Sequence, residues 1–302
     1  MGALALLVAA ALLLPGTALA HAAGAAEAGR GAEPWLIVLL ACSPLLYGVG
    51  IGRLWTQAGR SRGITTLQVA AFAAGWLALV FALATPLDEI GARLFAAHMV
   101  QHELLMIVAA PLLVLGRPLA AWTWALAPRA RHAVGRAARW RWLAWLWTRI
   151  TDPVAAWGLH ALALWAWHVP QLFDAALHHE WVHILQHASF LGTALLFWWT
   201  VLGGDPRSGR SGFALASVFT TMMHTGALGA LLTFASAPWY QAYALSGSVH
   251  GLTPVEDQQL GGLVMWIPGG TAYLVAGLFL VARLLARRPV TPATAAHPAP
   301  TR

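Results

Sequence analysis

The sequence predicts an all-α integral membrane protein, a bundle of about seven transmembrane helices with an outside amino terminus and a cytoplasmic carboxyl terminus. Three observations predict it. The 302-residue chain is 59% hydrophobic and 10% charged, too little polar surface for a water-soluble globule of this length. Its apolar residues fall in runs of roughly 20, the length that crosses a hydrocarbon core. Its net charge of +7 rests on arginines alone, and these are divided unevenly between the two sets of connecting segments.

Residues 1–20 read as a signal peptide ending at Ala18-Leu19-Ala20, with an uncleaved extra helix as the alternative. Cleavage would make His21 the amino terminus, where an α-amino group beside an imidazole can chelate copper. Residues 21–34 form an extracytoplasmic linker. The transmembrane domain covers 35–285, with apolar segments at 35–53, 65–85, 94–116, 152–169, 181–202, 212–235 and 260–283. Residues 286–302 are Pro/Ala/Thr-rich and read as a disordered cytoplasmic tail.

Orientation follows from the arginines. One set of connections carries Arg53, Arg60 and Arg62, then Arg117 through Arg149, then Arg207 and Arg210, then Arg283, Arg287 and Arg288; the alternate set carries Arg30 and Arg93. The positive-inside rule puts the first set in the cytoplasm. The outer set collects Asp88, Glu89, Asp174, Glu180, Glu256 and Asp257. This layout assigns the basic charge to membrane loops and gives no ground for a nucleic-acid partner. The long inner loop 117–150 adds Trp122, Trp124, Trp140, Trp142, Trp145 and Trp147 to seven arginines, which fits an amphipathic helix in the anionic headgroup layer; a partner-docking segment is the sharper alternative.

Cys42 is the single cysteine and lies in an apolar run, so neither a disulfide framework nor a CxxC thiolate site is available. Any metal falls to His, Met or carboxylate. The third span carries His98-Met99-Val100-Gln101-His102-Glu103 and the fifth His183-Ile184-Leu185-Gln186-His187. Residues four apart share a helix face, so each HxxxH pair can present two imidazoles to one ion. Four costly polar side chains at one membrane level favour metal or haem binding over packing. His168 ends the fourth span, Met222-Met223-His224 lies in the sixth, and Met99 adds another thioether. Thioether beside imidazole points to copper, as Cu(I).

Other residues take duller readings. His160, alone in the fourth span, reads as a packing donor, and Met106 and Met265 as core filler. His178, His179 and His250 are loop residues, and His132 and His297 receive no role. Glu103 needs a partner inside the membrane and is placed as a second-shell group, although about 100° per residue turns it from the His98/His102 face. Asp174 is an acceptor or a turn former. Asp257 either gates the outer mouth or caps the last helix, where Gly261-Gly262, Pro268 and Gly269-Gly270 imply a kinked helix packed closely against the site.

These motifs resemble the CtaG family of caa-type cytochrome c oxidase assembly factors, seven-span proteins of the bacterial plasma membrane. The resemblance runs through His98 to His102, Trp167-His168-Val169-Pro170 to Asp174, His183 and His187, Met222 to His224, and Asp257 to Gly269. It implies a cytochrome c oxidase subunit as partner and a part in maturing its copper centre. No nucleophile with a matching base and no phosphate-cradling loop stands out, so the expected role is a non-enzymatic copper chaperone. A haem-binding electron-transfer protein and a copper importer are the alternatives, and a homo-oligomer stays open.

Overall fold

A computed structural model describes residues 34–203, 211–245 and 247–286; the expected signal peptide, linker and tail, with His21, Arg207, Arg210 and His297, lie outside them. The described residues form helices and no strand beyond one isolated bridge, Val249 to Leu252. Six helices are long and apolar enough to cross a membrane. They are α1 (Pro34–Ala58), α2 (Thr66–Leu83), α4 (Phe95–Gly116), α10 (Glu180–Leu202), α11 (Ser211–Thr233) and α13 (Pro254–Leu285). The expected fourth span folds as a 15-residue helix, α8 (Pro153–Trp167), shorter than the others.

Short helices fill the connections. Three lie between these helices: α3 (Leu87–Gly91) between α2 and α4, α9 (Pro170–His178) between α8 and α10, and α12 (Gln241–Ala244) between α11 and α13. They are tied together, because the Tyr243 hydroxyl donates to the Gly91 carbonyl over 2.5 Å and Asp174 accepts the Gln241 and Ala242 amides at 3.3 Å. Asp174 therefore holds α12 at its first turn. Burial pushes the Tyr240 and Tyr243 hydroxyls up, with Asp174 and Asp257 adding to the effect, so both remain neutral donors.

The Arg/Trp-rich segment departs from the single amphipathic helix expected of it. It breaks at left-handed Arg117, before Pro128 and again at 138–140 into α5 (Pro118–Ala125), α6 (Pro128–Ala137) and α7 (Arg141–Ile150). Helix α5 turns back along α1: Gly50 meets the Ala121 backbone, Trp122 donates to the Ser43 carbonyl at 3.0 Å, and Arg53 donates to the Ala125 carbonyl. Only α6 and α7 keep an unpartnered face, with Trp140, Trp142 and Trp145 exposed.

Sequence-local caps start several helices. Thr65 and Gln68 form a capping box on α2, Thr253 and Glu256 another on α13, and Asp152 accepts the Val154 and Ala155 amides at the start of α8. Helix α4 has no such residue before it. Its cap comes from α13, where Asp257 accepts the Phe95 amide at 2.7 Å and the Ala96 amide at 3.0 Å. Asp257 is thus buried and caps a helix other than its own, correcting both the gate and the own-helix cap expected for it.

Helix α13 runs unbroken through Pro268 and packs by its glycines. A side chain at Gly262 would lie 2.6 Å from the Gly229 carbonyl oxygen, one at Gly261 would collide with Phe95, and one at Gly269 would lie 3.1 Å from the Glu103 carboxylate. The close backbone approach read from the two glycine pairs is present at Gly262 alone; Gly261 and Gly269 make room for side chains, and Gly270 has nothing near it. Inside α4, residues Leu104–Ala109 widen into a π turn in which Ala110 N–H reaches back to Leu105. The next residue is Pro111, which has no N–H to continue that pattern, so the Met106 carbonyl is left over. The Trp198 indole of α10 takes it at 2.8 Å. That bond locks α4 to α10, the two helices that carry the HxxxH pairs.

Candidate metal centre

Helices α4 and α10 bring the two pairs together. The His98 and His102 ring centroids are 4.3 Å apart and those of His183 and His187 4.1 Å apart, one helical turn in each case. Across the interface His102 lies 5.2 Å from His187, His98 5.8 Å from His187 and His98 5.5 Å from His183. One ring nitrogen from each of His98, His183 and His187 lies within 4.8 Å of the other two. His102 sits beneath them against Phe190, 4.6 Å away. His98 and His102 are each 1% exposed.

Several ring nitrogens here lack partners. Both nitrogens of His102 and the Nε2 atoms of His168 and His187 have no hydrogen-bond partner among the described residues. A buried polar atom without a partner costs about 1–3 kcal/mol, and several at one place make a set of donors waiting for an acceptor of lone pairs. His168 belongs to the rim of this set. It shares Phe173 with His98 and Phe190 with His102, at 6.3 and 6.2 Å. Its Nδ1 lies 2.6 Å from the Leu164 carbonyl, which places the proton on Nδ1 and leaves Nε2 as a free lone pair. A small cation fits this arrangement; the site offers it nitrogen alone.

The methionines are elsewhere. Met99 is fully buried, but the turn from His98 sends it among Phe95, Leu228 and Met265 and against Gly261 of α13. Met222 packs beside the core cluster of Phe197, Trp198 and Tyr273, and Met223 is 54% exposed. Among the described residues no thioether joins the four imidazoles, so the sulfur argument for Cu(I) falls away. His224 also points elsewhere, with Trp157 as its ring neighbour at 6.4 Å. His160 hydrogen-bonds Thr193 at 3.2 Å, as a packing histidine does. Glu103 turns to Gly269 rather than to an imidazole, and Asp174 and Asp257 serve as caps. The three placed as second-shell groups therefore touch none of the four rings through a hydrogen bond among the described residues.

Sequence reasoning missed two groups at the site. Gln101, fully buried, donates through Nε2 to the Ala82 carbonyl at 2.8 Å and to Asp88 Oδ1 at 3.0 Å. Asp88 Oδ1 in turn lies 3.9 Å from His183 Nε2. The available signal was that both motifs read HxxQH, with a glutamine at the same place, and that both glutamines, Gln101 and Gln186, are fully buried.

A many-helix apolar bundle enclosing a nest of buried imidazoles defines a multi-pass membrane protein with a histidine-lined interior site. The chain belongs to the family described as cytochrome c oxidase caa3 assembly factor (Caa3_CtaG), which matches residues 45–287. Among curated proteins it is 27% identical to an uncharacterized protein of Mycobacterium leprae over 76% of this chain and 36% of that one. It is 29% identical to uncharacterized proteins of Mycobacterium bovis and Mycobacterium tuberculosis over 66% of this chain and 31% of each of those. The chain thus spans about a third of the length of these relatives. No solved structure matches it.

Proposed function

We propose that this protein holds copper, as Cu(I), among His98, His102, His183 and His187 and hands it to a cytochrome c oxidase subunit during assembly of the oxidase copper centre. The observation that carries the reading is the convergence of one nitrogen from each of three imidazoles within 4.8 Å, above the buried ring of His102. Cu(I) accepts two or three imidazoles, and burying a single positive charge among neutral rings costs far less than burying two. Transfer needs an exchangeable site, and a set of rings at one end of the bundle suits release to a partner better than a closed four-coordinate cage. His168 is the natural ligand to relieve one of the four as the ion leaves.

The setting for this role is a bacterial plasma membrane crossed seven times, α8 supplying the seventh pass, with the amino terminus outside and the carboxyl terminus in the cytoplasm. Its support is the side on which the arginines fall: Arg53, Arg60, Arg62, the arginines of α6 and α7, and Arg283 all lie at the end away from the imidazoles. The haem alternative loses ground, because rings 4.1 to 5.8 Å apart, walled by Phe173 and Phe190, fill the slot a porphyrin plane would need.

The test is metal analysis with a visible absorption spectrum on detergent-purified protein loaded with Cu(I). About one copper per chain without a Soret band, lost in His102→Ala and in His187→Ala, is the expected result. A Soret band, or copper retained in both variants, sinks the proposal.

A further inference from the structure

The four imidazoles are buried to different depths, and the gradient has a direction. His98 and His102 are 1% exposed and His187 8%, whereas the His183 side chain is 16% exposed and the Asp88 side chain 24%. Among the described residues, Asp88 is the carboxylate that pairs with one of the four rings, at 3.9 Å from His183 Nε2. We propose that Asp88 forms the cation-admitting mouth of this site, drawing a metal cation from the membrane surface and passing it to His183 on its way to His98 and His187. This role rests on the copper-binding reading above.

Asp88 is held for such a task. It sits on α3, whose Gly91 lies so close to α4 that a side chain there would come within 3.3 Å of the His98 Cα. The Gly91 carbonyl is fixed by the Tyr243 hydroxyl. Gln101 spends both hydrogens of its amide on the Ala82 carbonyl and on Asp88 Oδ1, so the carboxylate is aimed by a side chain from the helix that also carries His98 and His102. Beside these contacts the aromatic group Phe95, Phe173, Tyr240 and Tyr243 covers His98 from the same end, leaving the Asp88–His183 edge as the wetter way in.

The chemistry needed at a mouth differs from that needed at a seat. A hydrated cation entering a nest of neutral imidazoles must lose water before any nitrogen binds it, and a fixed carboxylate lowers that barrier by Coulomb attraction. Such steering changes the rate of association by about 10-fold to 1,000-fold and is screened by salt. Nitrogen keeps the equilibrium affinity, so removing Asp88 slows loading without emptying the site.

The experiment times uptake of Cu(I), supplied as its cationic acetonitrile complex, by the full-length protein in detergent at low salt, with bicinchoninate added in a quench to colour the copper still unbound. Three proteins are compared. Asp88→Asn keeps an acceptor for Gln101 and removes the charge; Glu89→Gln removes an equal charge from the exposed neighbouring side chain. The expected result is loading slowed about 10-fold or more in Asp88→Asn, unchanged final copper content, and a near-native rate in Glu89→Gln. Added salt then slows the wild type toward the Asp88→Asn rate. Loading of Asp88→Asn at the wild-type rate overturns the proposal, as does equal slowing in both variants. A wild type that takes up no Cu(I) at all instead removes the copper reading on which the proposal rests.

Discussion

Helices α1 and α4 have nearly the same mean hydropathy, 1.9 and 1.7, yet 17% of the first one's apolar window is buried inside the protein against 56% of the second's. Hydropathy says that both belong in a bilayer and nothing about which one is central. The difference lies in what interrupts the apolar run. Helix α1 is interrupted by little beyond Ser43 and Pro44 in its first half and shows Leu45, Leu46 and Val49 to its surroundings. Helix α4 carries His98, Gln101, His102 and Glu103 in succession, and polar groups that lipid cannot satisfy must turn inward. Polar interruption therefore marks the hub of the bundle, and the apolar helices pack around it.

The strongest way to break that comparison is to disturb the contact that seats α13, the helix that caps the hub, against α11. Gly262→Val places a branched side chain where even a Cβ would lie 2.6 Å from the Gly229 carbonyl oxygen and 2.5 Å from the Thr233 hydroxyl. Backbone cannot retreat as a flexible side chain can, so the expected cost is about 3 kcal/mol or more, with much of the protein failing to fold. Gly270→Ala, eight residues on with nothing within 4 Å, is expected to leave the melting temperature near wild type. Thermal unfolding followed by tryptophan fluorescence in detergent compares the two. If Gly262→Val melts with Gly270→Ala, the helix pair is not held by close backbone contact.

Next in size is the cap supplied across the bundle. Asp257→Ala leaves the Phe95 and Ala96 amides buried without acceptors at the start of α4 and is expected to cost about 2 kcal/mol. Glu256→Ala, one residue earlier on the exposed capping box of α13, is expected to cost much less. A ratio near one in the same unfolding measurement would mean that the hub helix does not depend on its borrowed cap.

Much of this fold was legible because apolar run length acts locally. Six expected segments became long helices within a few residues of their expected ends, and the i, i+4 spacing alone put His98 over His102 and His183 over His187. What was illegible depends on partners far along the chain. The target of Asp257 lies 162 residues away at Phe95, and nothing near either residue names the other. The hydrogen bond from Trp198 to the Met106 carbonyl, 92 residues apart, depends on a π turn and on Pro111 denying that carbonyl its helical donor. Met99 shows the opposite failure, since sequence adjacency to His98 suggested a ligand while the 100° step between neighbours sent the thioether into another cluster. Asp88 was visible as an outer acid, but its pairing with His183 needs α3, a five-residue helix with no periodic signal of its own.

The smallest expected effect tests the peripheral side of the comparison. Leu45 of α1 is 69% exposed and touches surroundings as apolar as itself, so Leu45→Ala removes methyl groups from a lipid-facing surface rather than from a packed interior. Transfer between lipid and protein carries little hydrophobic gain, because acyl chains solvate leucine as well as a core does. The expected change is within about 0.5 kcal/mol. Phe190→Ala, by contrast, empties the space beneath His102 and next to His168, where nothing can refill it without repacking α4 against α10. Should Leu45→Ala prove as damaging as Phe190→Ala, α1 would be covered by another protein surface rather than by lipid, and its low burial would describe an interface.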